Sequence, residues 1–155
     1  MRKEIKSYIV AILLPLAVGG LSALLTRGSM DIYETINTPS FVPPGIVFPI
    51  VWTILYILMG ISSGIIYNSK SNDKDNALFI YIIQLMVNFV WSIIFFNLRA
   101  FLIAFLLIIV LWVLIALMIS RFYKIDKTAA YLQIPYLLWV TFAGILSFAI
   151  YLLNR

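Results

Sequence analysis

The 155-residue chain contains no cysteine and no histidine. It therefore lacks the usual ligands of zinc and the common axial ligands of haem, so that only Tyr or Met remains as a rarer haem ligand. The Ser-His and Cys-His schemes of hydrolases are excluded as well, together with disulfides and thiol chemistry. The sequence predicts neither a metal site nor a bound cofactor.

Charge is also scarce, because Asp, Glu, Lys and Arg make up only 11% of the chain while hydrophobic residues make up 64%. An ordinary soluble domain has about 45–50% apolar residues. A membrane-spanning helix needs about 20 mostly apolar residues. Five uncharged stretches have this length, and they lie between Lys6 and Arg27, Glu34 and Lys70, Asp75 and Arg99, Arg99 and Arg121, and Lys127 and Arg155.

This pattern predicts an all-α integral membrane protein in which residues 1–155 form a single domain. The domain is expected to be a bundle of five transmembrane helices, which cover about residues 7–26, 46–68, 76–97, 100–122 and 128–153. Three of the four connections are short, so successive helices are expected to be antiparallel neighbours.

The first connection, residues 28–45, is long and carries Tyr33, Phe41 and three prolines. Long loops in compact proteins are often functional, which favours a lid-like loop over the bundle. Aromatic side chains also rest at the level of lipid headgroups, which would make the same loop an interfacial anchor. The residues alone leave both interpretations open.

Lysine and arginine are distributed unevenly over the connections. The N-terminus and the second and fourth connections hold eight of them, against three on the opposite side. The positive-inside rule therefore predicts a cytoplasmic N-terminus, with the long loop and the C-terminus outside what we expect to be a bacterial cell membrane. The basic residues form no stripe, so a pI near 9.6 does not indicate a nucleic-acid partner.

Amide and aromatic side chains recur within three of the predicted helices at spacings that place them on one face of each helix. These faces could line an apolar pocket with a few polar anchors, suited to a flat ligand. Amides can equally hold helices together by hydrogen bonds, and periodicity alone does not choose between the two roles. The faces comprise Trp52, Tyr56 and Gly60; Gln84, Asn88, Trp91 and Phe95; and Pro135, Trp139 and Ala143.

Two short patterns concern helix packing and lipid contact. Gly60 and Gly64 form a G-x-x-x-G pair, which marks either close packing inside the bundle, the interpretation we favour, or a dimer face. Prolines inside the first and fifth helices, Pro15 and Pro135, are expected to kink them. A possible sterol motif, L/V-x(1–5)-Y-x(1–5)-K/R, is matched by Leu146, Tyr151 and Arg155.

Three motifs resemble those of the translocator protein family, also called the tryptophan-rich sensory protein (TspO/MBR) family. The stretch from Pro39, P-S-F-V-P-P-G-I-V-F-P-I-V-W-T-I-L-Y-I-L-M-G, is similar to the family signature. The runs Q-L-M-V-N-F-V-W-S-I-I-F-F from Gln84 and P-Y-L-L-W-V-T-F-A from Pro135 are similar to its third and fifth helices. Some positions where the family commonly carries Trp hold other residues here, namely Ile32, Phe41 and Ile46.

The resemblance implies a five-helix bundle, often a homodimer, with a pocket under the first long loop. Members of the family bind porphyrins and synthetic isoquinoline or benzodiazepine ligands, and some bind cholesterol. The implied partners are thus a porphyrin or another flat hydrophobic molecule, and membrane lipid. The ligand-binding residues that the resemblance implies are Tyr33, Pro43, Trp52, Tyr56, Asn88, Trp91, Trp139 and Ala143.

Three functions fit these features. The first is a receptor- or sensor-like protein that binds protoporphyrin IX without acting on it, since a metal-free porphyrin needs no axial ligand. The second is light-dependent oxidative degradation of the porphyrin, with Trp52 and Trp139 as electron-rich partners; no acid–base or nucleophile set supports ordinary catalysis. The third is a transporter or carrier of a tetrapyrrole or sterol, ranked last because the helix interiors carry no ionisable coupling residue.

Overall fold

The structure is a computed structural model that describes residues 2–29 and 31–155. The described residues form helices joined by turns and loops, without a β-strand. A short 3-10 turn at Arg27–Ser29 follows the first helix. The α-helices are α1 Arg2–Thr26, α2 Ile32–Thr35, α3 Val47–Tyr67, α4 Lys74–Phe96, α5 Phe101–Ile125, α6 Lys127–Leu132 and α7 Ile134–Asn154.

Within residues 2–29 and 31–155, five helical segments are long and apolar enough to cross a membrane, which confirms the predicted all-α fold. They are α1, α3, α4, α5 and the consecutive pair α6 and α7. The bounds differ from the predicted ones by a few residues. Helix α1 begins at Arg2 rather than at residue 7, and α5 continues to Ile125 rather than to 122. Charge ends the apolar run at these points but not the helix, because Lys, Arg and Glu are good helix formers.

The fifth predicted helix is divided at Gln133 into α6 and α7. Pro135 has no backbone N–H and cannot continue the hydrogen-bond ladder from α6. The N–H of Gln133 instead bonds to the carbonyl oxygen of Ala130 at 3.1 Å, which closes α6 as a tight turn. The kink predicted at Pro135 is thus a break between two helices. Helix α1 continues through Pro15.

The helices form a closed ring in which α1 packs against α3 and α4, α4 against α5, α5 against α6 and α7, and α6 against α3. Helix α3 makes its close contacts with α6 rather than with α7. Small residues permit this approach. At the contact, the hydroxyl of Ser62 donates to the carbonyl oxygen of Ala129 at 2.7 Å. Helix α5 supplies a buried face at helical spacing: Ala104, Ile108, Leu111, Ile115, Met118 and Phe122.

The G-x-x-x-G pair is used inside the bundle, at the crossing of α1 and α3. A Cβ at Gly60 would meet the backbone of Ile12 and the carbonyl oxygen of Ala11 at 2.8 Å. A Cβ at Gly64 would meet the ring of Tyr8 at 2.6 Å. Only glycine allows α1 to lie this close to α3, because its missing side chain removes the clash.

The long connection lies across one end of the bundle. Its short helix α2 stacks Tyr33 on Phe48 of α3, with ring centroids 4.8 Å apart. Further along, the backbone N–H of Asn37 donates to the Asn154 Oδ1 at 2.9 Å, and the Asn154 Nδ2 donates back to the Asn37 carbonyl oxygen at 2.7 Å. The connection is therefore fixed to the end of α7. Its proposed role as a lid that opens stays a prediction.

Candidate functional site

An aromatic cavity lies beneath the long connection, between α2, α3, α4 and α7. Its volume is about 20 Å³, and a cavity needs about 10–15 Å³ to hold one water molecule. The space between the aromatic rings is therefore nearly filled by the rings themselves in this conformation. The cavity is lined by Tyr33, Phe48, Trp52, Trp91, Phe96, Trp139, Ala143, Leu146 and Ser147.

The rings around the aromatic cavity contact one another in stacked and edge-to-face pairs. Trp52 stacks on Tyr56 with centroids 5.6 Å apart, one helical turn further along α3. Across the cavity, the rings of Phe48 and Trp139 form an edge-to-face pair with centroids 5.9 Å apart. Aromatic pairs in these geometries stabilise each other by about 0.5–1.5 kcal/mol beyond the burial of their area. The walls are thus pre-positioned faces that come from three separate transmembrane helices and α2.

Two indole N–H groups at the cavity have no hydrogen-bond partner among the described residues, the Nε1 atoms of Trp91 and Trp139. Both atoms are buried, and both rings line the cavity. A buried donor without an acceptor is costly, by about 1–3 kcal/mol. Such donors are commonly satisfied by a ligand or an ordered water.

A polar cluster lies one turn deeper in the bundle. The Asn88 amide donates to the Tyr136 hydroxyl at 3.1 Å, and that hydroxyl donates to the Gln84 Oε1 at 2.7 Å. These bonds join α4 to α7 across the bundle, so both amides act in interhelical packing. The Gln84 Nε2 and the amide of Gln133 are buried without partners among the described residues.

The structure places most of the predicted ligand-binding residues at the cavity, without testing whether they bind a ligand. Asn88 belongs to the polar cluster beneath it, and Tyr56 stacks on Trp52 of the cavity wall. Pro43 is half-buried in the connection and does not line the cavity. The predicted residues that line it are Tyr33, Trp52, Trp91, Trp139 and Ala143.

The residues of the possible sterol motif do not share one surface. Leu146 is buried and lines the aromatic cavity, Tyr151 is half-buried, and Arg155 is exposed at the end of the chain. Offsets of five and nine residues along a helix turn these side chains to different sides. They therefore form no continuous patch on the lipid-facing side of α7.

Sequence reasoning missed several residues of the site. Phe48 and Phe96 line the cavity, and both were hidden in apolar runs that gave no periodic signal. On α7 the inward face carries Tyr136 rather than Pro135, which is exposed. Tyr136 is three residues before Trp139 and Pro135 is four, so either spacing is compatible with a shared helical face. Only packing fixes which of the two points inward.

The family model for the TspO/MBR family matches residues 11–153 of the chain. The Tryptophan-rich protein TspO of Chlorobaculum tepidum is 38% identical over an alignment that covers 99% of both chains. The Tryptophan-rich protein TspO of Archaeoglobus fulgidus is 37% identical, with 97% of this chain and 99% of the relative covered. The Translocator protein of Bos taurus is 30% identical, with 92% and 87% covered. The similarity extends over all five membrane-spanning segments.

Proposed function

The chain belongs to the TspO/MBR family of membrane proteins, and from that premise we propose that it is a receptor- or sensor-like protein that binds protoporphyrin IX or a similar flat, hydrophobic molecule. The observation that carries the proposal is the aromatic cavity, where rings from α2, α3, α4 and α7 converge. Offset stacking on such rings stabilises a bound ligand that is flat and polarisable.

The unpaired donors at the cavity support a ligand that carries hydrogen-bond acceptors. The indole N–H groups of Trp91 and Trp139 are buried without partners among the described residues. Carboxylate oxygens or imine nitrogens of a porphyrin would satisfy them. The chain has no His or Cys to ligate a metal, which favours a metal-free porphyrin held by stacking and hydrogen bonds.

The ligand requires a more open conformation, because ligand pockets usually measure about 300–1,000 Å³ and the cavity measures about 20 Å³. Binding would therefore select or induce a state in which the cavity rings move apart. Their mutual stacking stabilises the closed state. Affinity for the ligand would then be lowered by the rarity of the open state.

The test is quenching of tryptophan fluorescence by protoporphyrin IX in purified protein. For the wild type we expect saturable quenching with a dissociation constant in the micromolar range, which corresponds to a binding free energy of about −8 kcal/mol. The changes Trp52→Ala and Trp139→Ala should each weaken binding by about tenfold or more, since each removes a stacking surface. Trp112→Ala is the matched control, because Trp112 lies on the outer side of α5, with its Nε1 bonded to Thr141.

Non-saturable quenching that is the same in all variants would contradict the proposal, because it would show partition of the porphyrin into detergent. Equal weakening by the Trp112 control would contradict it as well. Circular dichroism and thermal unfolding of each variant separate loss of binding from loss of fold.

Light-dependent oxidative degradation of the porphyrin is a second candidate function. The observation that favours it is the presence of three indoles, Trp52, Trp91 and Trp139, around one cavity. Electron-rich rings that line the cavity are suited to exchange electrons with an excited porphyrin bound in it. Illumination of the bound complex in air, with empty micelles as the control, tests this candidate: equal rates of porphyrin loss would exclude it.

We also propose the orientation and partners of the protein in the membrane. The excess of Lys and Arg on one side supports a cytoplasmic N-terminus, with the long connection and the C-terminus outside a bacterial cell membrane. Membrane lipid covers the outer faces of the helices. A homodimer would form through those faces, since the G-x-x-x-G pair on α3 is occupied by α1.

A further inference from the structure

A groove runs along the outer surface of the bundle between α3 and α7. Its volume is about 440 Å³ and its walls are almost wholly apolar. Ile54 and Leu138 on its rims are 52% and 65% exposed. Both helices are membrane-spanning segments, so the groove opens towards lipid acyl chains rather than water. Its lining residues are Val51, Ile54, Leu55, Pro135, Leu138, Trp139 and Phe142.

Trp139 lines both this groove and the aromatic cavity. The Trp139 side chain therefore borders both the outer groove and the interior of the bundle. The ring packs against those of Phe48 and Phe142, with ring centroids 5.9 Å and 5.4 Å away. Its Nε1 has no hydrogen-bond partner among the described residues. A rotation of this side chain would thus join groove and cavity without breaking a hydrogen bond.

The packing of the helices explains where along the bundle the groove lies. Helix α3 approaches α6 closely through Ser62 and Ala129. After the break at Gln133, α7 no longer keeps this close contact with α3. Large rings bridge the wider gap: those of Trp52 and Tyr136 form an edge-to-face pair with centroids 6.2 Å apart. The ring of helices is closed by the close approach of α3 to α6 at one end and by large aromatic side chains between α3 and α7 at the other.

The end of the cavity beneath the long connection is held more firmly. The Asn37 Nδ2 donates to the carbonyl oxygen of Leu153 at 3.2 Å, which adds to the two bonds between Asn37 and Asn154. Tyr33 also stacks on Phe48. Movement of the connection away from the cavity would have to break these hydrogen bonds and unstack this pair.

We propose that the hydrophobic ligand reaches the aromatic cavity from within the bilayer, through the groove between α3 and α7, with Trp139 as the side chain that moves aside. The proposal rests on the proposed function, because it concerns access to the same cavity. A flat apolar molecule is concentrated in the bilayer by its own hydrophobicity. Lateral access spares it the aqueous phase and leaves the connection in place.

The test measures association and dissociation rates of protoporphyrin IX, from the fluorescence of the porphyrin itself, with the protein in lipid nanodiscs. The double variant Ile54→Phe/Leu138→Phe narrows the groove with two larger side chains. The matched control, Ile109→Phe/Ile145→Phe, makes equivalent changes in a second outer groove, between α5 and α7, which shares no residue with the cavity. All four positions are exposed, so the substitutions should leave the core intact.

We expect the groove variant to slow both rates by about tenfold while the dissociation constant stays within about twofold, because a narrowed path raises the barrier without changing the bound state. The control should match the wild type. A third variant, Asn154→Ala, loosens the connection and should leave both rates unchanged.

Unchanged rates in the groove variant, equal slowing in the control, or faster exchange in Asn154→Ala would each overturn lateral access. Saturable binding to the wild type would persist in those cases, and the proposed function with it. Absence of saturable binding to the wild type would overturn the proposed function itself, and the access route that rests on it.

Discussion

At the residue scale, the amides and the indoles of the bundle have different roles. The two roles that helical spacing left open, pocket lining and interhelical bonding, are divided between neighbouring turns. Asn88 and Gln84 are bonded to Tyr136 and join α4 to α7. Trp91, one turn from Asn88 on the same face, has an unpaired indole and lines the cavity. A single helical face thus supplies both the floor and the wall of the site.

The change Tyr136→Phe should lower the free energy of unfolding by about 1–3 kcal/mol, because it leaves two buried amides without their shared partner. The Tyr136 hydroxyl is the only group that accepts from the Asn88 Nδ2 and donates to the Gln84 Oε1 among the described residues. Denaturation by SDS in mixed micelles measures the effect.

Tyr131→Phe is the matched control for this change, since Tyr131 lies on the preceding helix, α6, and is 56% exposed. It should alter the unfolding free energy by less than about 0.5 kcal/mol. Equal effects of the two substitutions would show that the hydrogen bonds of Tyr136 contribute little to stability.

At the element scale, glycine and proline set the spacing between helices. Glycine at Gly60 brings α1 against α3, and Pro135 ends the close contact that α6 keeps with α3. The aromatic cavity and the outer groove lie beyond this break, where side chains rather than backbones bridge the helices. The position of the site along the bundle therefore follows from two local backbone properties.

Gly60→Ala should destabilise the bundle by about 1–3 kcal/mol, because the added methyl group collides with the backbone of α1. Gly20→Ala makes the same chemical change on α1 where a Cβ meets nothing within 4 Å. It should be neutral or stabilising by up to about 1 kcal/mol, through the better helix propensity of alanine. Thermal unfolding of the two variants, measured side by side, tests the pair; similar melting temperatures would contradict the close crossing.

Asn154→Ala should expose the long connection to proteolysis. The Asn154 side chain makes two of the three hydrogen bonds that fix Asn37 to α7, and cleavage follows the population of locally opened states. If the free energy of opening the connection falls by about 1.4 kcal/mol, the rate of chymotrypsin cleavage at the exposed Phe41 should rise about tenfold. Asn68→Ala, which removes a bond to Ser7 at another helix end, should leave cleavage at Phe41 unchanged. A connection that is cut equally fast in all three proteins would show that this contact does not hold it.

At the scale of the whole molecule, the described residues form a ring of five spans with an apolar outer surface and an aromatic cavity that its own side chains nearly fill. Only 11% of an 18-residue apolar window in the first span is buried, against 44% of such a window in the second. Most of the α1 surface is therefore not covered by other described residues of the bundle. The charged residues lie at the ends of the spans, so the proposed orientation rests on charge and the proposed site rests on packing.

The orientation can be tested because the chain has no cysteine of its own. A cysteine introduced as Ser40→Cys in the long connection should react with a membrane-impermeant maleimide in intact cells. Asn72→Cys, in the connection between α3 and α4, should react only after the membrane is permeabilised. The reverse pattern would invert the orientation derived from the positive-inside rule.

The sequence by itself determined the number of spans, the family and the helical faces that carry the aromatic residues. These features are local, because charge spacing, hydropathy and motifs can be read along the chain without knowledge of neighbours. Trp52, Trp91 and Trp139 were identified in this way, and all three line one cavity.

The tertiary structure alone decided how those faces meet. It turned Tyr136 rather than Pro135 inward, added Phe48 and Phe96 to the walls, and closed the cavity to about 20 Å³. It also placed Asn37 against Asn154, which is 117 positions away along the chain. Such features depend on helix rotation and on contacts between distant segments, and neither leaves a periodic signal in the sequence.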